Sequence, residues 1–187
     1  MDQNYSGPAM MNDTPAKAVE AGTEFYGNLL PHIDARMIAP MWHIFTLGHI
    51  VATDLDRIAR RFELSIADIH LLGTVRIDQA QPLRAIDLAR VLNVSQATLS
   101  ARIERLVRAG LLTKSRLSDD KRAFALRLTE TGERIADMSV DTFLRDAKLV
   151  HALSRLSADD LGAFTRIIGR LHHELDRIIT PGMPETT

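Results

Sequence analysis

The 187-residue chain has no cysteine, which excludes disulfides, thiolate metal sites and sensing by thiol oxidation. Aromatic residues are scarce at 5%, with a single tryptophan. No apolar run approaches the roughly 20 residues that a membrane-spanning helix requires. The opening MDQNYSGPAMMNDT lacks both the basic start and the apolar segment of a secretory signal. These absences describe a soluble, cytoplasmic protein. Catalytic signatures are missing as well: the sequence has no glycine-rich phosphate loop, no GxSxG and no HExxH, so it reads as a non-enzyme with no cofactor. Among the seven histidines, His43 and His49 are six apart and His172 and His173 are adjacent. None forms the i, i+4 pair that chelates from one helix face. No metal ligand is therefore assigned, and a zinc-responsive protein stands only as the alternative.

What is present is a concentration of positive charge. Residues 84 to 128 hold ten Lys or Arg against four Asp or Glu, a net +6, in a chain whose net charge is −1. Within this stretch Leu99, Ile103, Leu106 and Val107 recur at helical spacing and mark a buried stripe. Ser95 suits the N-cap of that helix and Gly110 its C-terminal stop. Ala97, Thr98, Ala101, Arg105 and Arg108 fall on the opposite face, with Arg102 on the flank. Upstream, Ile86, Leu88, Ala89 and Leu92 predict a short amphipathic helix, and Asn93 suits a tight turn. Two helices and a turn of this size form either a helix-turn-helix or an ordinary helical hairpin in a core.

The residues that follow favour the helix-turn-helix. Leu111 to Ser115 and Ala123 to Leu128 are strand-like, and the RLSDDKR between them makes a polar hairpin tip. Arg116, Lys121 and Arg122 there suit insertion into a narrow, negatively charged minor groove. The DNA-contacting set is thus Ser95, Gln96, Ala97, Thr98, Ala101, Arg102, Arg105, Arg116, Lys121 and Arg122. Small side chains let the backbone approach base edges, while arginines reach phosphates or guanines.

Ser95, Thr98, Leu99, Leu106, Gly110 and Leu111, then Asp119, Asp120, Lys121 and Arg122, then Leu128, Thr129 and Gly132, stand in an order that resembles the winged helix-turn-helix of MarR-family transcription regulators. Members often carry a further aspartate at the start of the wing, where this chain has Leu117. The resemblance implies a mainly α fold with a small β-hairpin wing, in which N- and C-terminal dimerisation helices flank the winged helix-turn-helix. It also implies a homodimer on double-stranded DNA, more often a repressor, whose affinity changes when a small molecule binds beside the dimerisation helices. Trp42, Phe45, His49 and His70 are the candidates for that site, and they suit an aromatic acid or phenol. The alternative for Trp42 is a core aromatic, and for the histidines a hydrogen-bonded helix interface. A dimeric interaction module without DNA binding is a further alternative, but its helix would be neutral.

In chain order, residues 1–13 are expected to be a disordered tail. Residues 14–39 form an N-terminal extension in which Val19, Thr23, Tyr26 and Leu30 predict a short extra helix, a floppy tail being the alternative. The MarR-like domain spans 40–179, with its winged helix-turn-helix at 65–128, and 180–187 are a second tail. Pro40 suits the first turn of a helix over 40–62. In that helix Met41, Phe45, Gly48, Ala52, Leu55, Ala59 and Phe62 form a packing seam. Ser65 and Asp68 resemble a capping box for the next helix, whose inward face is Ile66, Ile69, Leu72 and Val75. Thr129 caps a helix to about Leu149. Ser157 with Asp160 starts the last helix, 157–179, seamed by Leu161, Phe164, Ile168, Leu171, Leu175 and Ile178. These seams fit a two-fold mate, with an intramolecular pair as the alternative. A dimer places two reading helices about 34 Å apart on a pseudo-palindromic operator.

Overall fold

The protein, seen as a computed structural model, is described over residues 14–32, 34–77, 83–116 and 123–179. It divides into two compact units, residues 1–67 and 68–187.

In the first unit the N-terminal extension is helical. Thr14 Oγ1 accepts from the Lys17 amide at 3.4 Å, and Pro15 occupies the start of helix α1, Pro15–Leu29. A proline there loses nothing, because the first-turn amides have no helical partner. Helix α1 packs on α2, Ile38–Ala59, and buries Val19. Pro40 lies in the first turn of α2, as its spacing predicted. A 3-10 turn, Arg60–Phe62, extends α2. The helix ends through Glu63 at φ 58°, with the Glu63 amide donating to the Arg60 carbonyl and the Leu64 amide to the Ala59 carbonyl. Of the α2 seam, Ala59 is buried and Leu55 and Phe62 are half-buried, but Met41, Phe45, Gly48 and Ala52 are exposed.

Helix α3, Ile66–Ile77, contributes buried Ile69, Leu71, Leu72 and Val75 to the core of the second unit. Helix α4, Ala85–Val91, buries Leu88 and Ala89 and leaves Ile86 exposed. Asn93 then takes φ 50°, and its amide and that of Val94 donate to the Arg90 and Ala89 carbonyls. Helix α5, Gln96–Arg108, starts at Ser95, whose Oγ accepts from the Thr98 amide at 3.1 Å. It ends at Gly110, φ 71°, where the Gly110 and Leu111 amides donate to the Val107 and Leu106 carbonyls. Both helices therefore close through a left-handed residue of the type that tolerates it. Leu99, Ile103 and Leu106 are buried as expected, whereas Val107 is 36% exposed.

The wing is a three-stranded antiparallel sheet in the order β1-β3-β2, formed by β1 Leu83–Arg84, β2 Leu112–Arg116 and β3 Ala123–Leu128. Its register sets Leu112 opposite Leu128 and Leu83 opposite Phe124. The sequence predicted only the hairpin; the short β1 adds the third strand.

Beyond the wing, Thr129 caps α6, Glu130–Asp146, through a bond from the Gly132 amide at 3.0 Å, and its hydroxyl donates to the Gly110 carbonyl at 2.7 Å. The Thr129 amide donates to the Leu111 carbonyl. A Cβ on Gly132 would overlap that same carbonyl oxygen, so glycine is the residue this close approach requires. Helix α6 stops three residues before the expected Leu149. Buried Ala147 is extended at ψ 131°, and a separate helix α7, Lys148–Leu153, follows. Ser157 Oγ accepts from the Asp160 amide and its hydroxyl donates to the Asp160 carboxylate at 2.6 Å, opening α8, Ala158–Ile179. No residue of α8 is buried, and its whole expected seam is exposed.

Candidate nucleic-acid interface

Helix α5 presents a graded surface. Its inner stripe is fixed by the full burial of Leu99 and Leu106 and near-full burial of Ile103, each contributing about 1.5 to 3 kcal/mol. That stripe turns Gln96, Ala97, Ser100, Ala101, Glu104 and Arg108 outward, and all six are exposed. The first turn is held by a small hydroxyl cluster, in which Ser95 Oγ meets Thr98 Oγ1 at 2.8 Å and also receives the Thr98 amide. Ser95 and Thr98 thus have structural work at the helix start. Ser100 and Glu104 were missed by the sequence reading, although helical periodicity places them on the outward face.

Asp68 changes the roles of two arginines. Expected at a helix start, it is fully buried in α3, and Arg105 of α5 donates to its carboxylate. Arg102 Nε lies 3.8 Å from the same carboxylate oxygen, and its side chain is only 15% exposed. A buried carboxylate is costly unless a counter-charge and hydrogen bonds compensate it. That requirement draws the two guanidinium groups inward toward α3. Arg105, expected to point away from the core, is held at its tip while remaining 49% exposed. Arg102, expected on the flank, is mostly covered. The pairing spans 37 residues, and no local pattern announces it. A second cross-link, from Arg76 of α3 to Asp137 of α6 at 3.1 Å, holds the Asp137 carboxyl below its ordinary range.

The wing's cationic tip lies mostly outside the described residues: Leu117, Asp119, Asp120, Lys121 and Arg122 fall there, as does the side chain of Arg116. The strands that carry the tip are described. Lys114 and Arg127 are exposed on them.

The expected ligand residues are distributed as follows. Trp42 and Phe45 make an edge-to-face contact with ring centroids 5.6 Å apart. Trp42 also lines an apolar groove of about 380 Å³ in the first unit, with Pro15, Ala18, Val19, Gly22 and Tyr26 of α1 and Thr46 of α2. Phe45 and His49 are exposed on α2 outside that lining, and His70 is exposed on α3. The α1 residues were missed because their helix was itself uncertain from sequence. Among the described residues no three of His, Asp and Glu gather as metal ligands would, and no helix is long and apolar enough to cross a membrane.

Residues 64–124 match the MarR family model. The transcriptional regulator PecS of Dickeya dadantii (strain 3937) is 24% identical over 152 residues, covering 79% of this chain and 89% of PecS. Two structures show the same fold. The DNA complex of MepR from Staphylococcus aureus has a TM-score of 0.64 at 19% identity, covering 72% of this chain and 96% of MepR. AbsC, a MarR-family regulator of Streptomyces coelicolor, has a TM-score of 0.61 at 23% identity, covering 76% of this chain and 95% of AbsC. The family and these relatives are transcription regulators, not enzymes.

Proposed function

From the premise that the chain carries a MarR-family winged helix-turn-helix domain, we propose that it is a homodimeric, ligand-responsive DNA-binding regulator. It acts as a repressor released from a pseudo-palindromic operator by a small aromatic or phenolic acid. The observation that carries DNA binding is α5 itself: a capped helix with an apolar back and an exposed polar front, followed at once by a basic wing. Such a helix enters the major groove, and the wing reaches the flanking minor groove.

Dimerisation is supported by the apolar surface a single chain leaves in water. On α8, Phe164, Ile168, Leu171 and Leu175 are each about two-fifths exposed, and on α2 Met41, Ile44 and Phe45 are more so. Contiguous exposed apolar faces mark association surfaces. The dimerisation helices are therefore 40–62 and 157–179, flanking the winged region 65–128. The effector site includes Trp42 and Phe45, and the groove beside Trp42 offers a mainly apolar lining that also includes Tyr26 and Thr46. An effector works here only by favouring one of two conformations, typically through about 1 to 3 kcal/mol of coupling.

The test is binding of the full chain to a duplex from its own promoter at low salt, with and without aromatic acids. A shift that an aromatic acid reverses supports the proposal; no shift at low salt overturns it. Replacing Arg122 by alanine should weaken binding to all sequences and lower the salt slope by about one.

A further inference from the structure

The buried Asp68 bears on which bases α5 reads. Guanine is the commonest target of a recognition helix because a free arginine pairs with two acceptors on its major-groove edge. The two arginines nearest the middle of α5, Arg102 and Arg105, instead point their guanidinium groups toward Asp68. Arg108 is exposed but sits at the helix's last residue, far from the N-terminal turns that meet base edges. Its reach is to phosphate.

The exposed groups of the first two turns are of another kind. Gln96 is the first residue of α5, exposed and without a side-chain hydrogen bond among the described residues. Its amide offers one donor and one acceptor, the complement of adenine's N6 and N7. Ala97 and Ala101, both exposed, offer methyl groups that suit the thymine methyl. Ser100 lies between them and pairs with either kind of edge. Ser95 and Thr98 are taken up by the cap.

We propose that α5 selects A·T pairs in the major groove of each half-site, with Gln96 as the specificity-determining side chain, because Asp68 withholds Arg102 and Arg105 from guanine. The proposal rests on the DNA-binding reading above and adds the bases to it. It also separates two functions within one helix: Arg105 and Arg108 set affinity, and Gln96 sets sequence.

The experiment is selection of bound duplexes from a randomised pool by the full chain at low salt, repeated with Gln96→Ala and Arg105→Ala. The wild type should enrich an A·T pair at a fixed position of each half-site. Gln96→Ala should erase the preference at that position, a loss of roughly tenfold or more in discrimination. Arg105→Ala should lower retention of all sequences while selecting the same base there. Enrichment of guanine under α5, or an unchanged preference in Gln96→Ala, overturns the inference. Retention of DNA with no base preference overturns it too and leaves the regulator reading standing, whereas a wild type that retains no DNA overturns that reading itself.

Discussion

Glu63 sits at φ 58° as the residue that ends α2. A side chain in this left-handed region costs about 1 to 2 kcal/mol relative to glycine. Glu63 is exposed, so replacing it removes little packing. Glu63→Gly is expected to raise stability by about 1 kcal/mol, a gain of roughly 2 to 4 °C in midpoint for a chain of this size, measured by thermal unfolding. Gly132 has the opposite character. Any Cβ there meets the Leu111 carbonyl, a backbone atom that cannot step aside without moving the base of the wing. Gly132→Ala should destabilise by about 1 to 3 kcal/mol in urea unfolding, and Gly110→Ala by less, since Gly110 has open space around it and only its φ is adverse.

At the scale of elements, the Asp56 carboxylate ties the start of α3 to α2. Asp56 accepts from the Ile66 amide and from Arg60, which hold its carboxyl below the ordinary aspartate value of 3.8, the amide first and the guanidinium second. A depressed carboxyl stabilises the fold at pH above its unfolded value, and the stabilisation is lost as pH falls through the lower folded value. Removing it with Asp56→Asn should therefore lower stability at neutral pH and flatten the decline on acidification below about pH 4. A variant whose acid limb matched the wild type would refute this role. The elements themselves were largely legible. Ser95, Thr129 and Ser157 announced helix starts, Gly110 a helix end, and alternation in Phe124, Leu126 and Leu128 a strand. Each signal is local, written within four residues of its effect. The two-residue β1 was not legible, because a pair of residues has no periodicity. The break at Ala147 carries no glycine or proline, so nothing in the sequence stops the helix there. The Asp68 pairing with Arg105 was hidden for the same reason in reverse: each residue looked locally suited to another role, and only tertiary burial of the acid decides between them.

The molecule as a whole leaves an apolar helix face in water. If α8 meets a second copy, a charge at its centre must disfavour the pair. Leu171→Asp is expected to give a monomer at micromolar concentration by light scattering, with the helical circular dichroism of the winged unit retained. A dimer persisting in that variant would remove α8 from the interface. The monomer should bind operator DNA only as a half-site reader, with affinity lower by orders of magnitude, because two linked contacts strengthen each other without new chemistry. The uncovered α8 face then has a consequence in dosage. A chain whose operator-competent form requires two copies has occupancy that rises with the square of its concentration where dimers are sparse, by mass action. Within that range a cell holding half as much protein would lose more than half of its control; if α8 is the contact, the apolar stripe from Leu161 to Ile178 also sets a threshold in copy number.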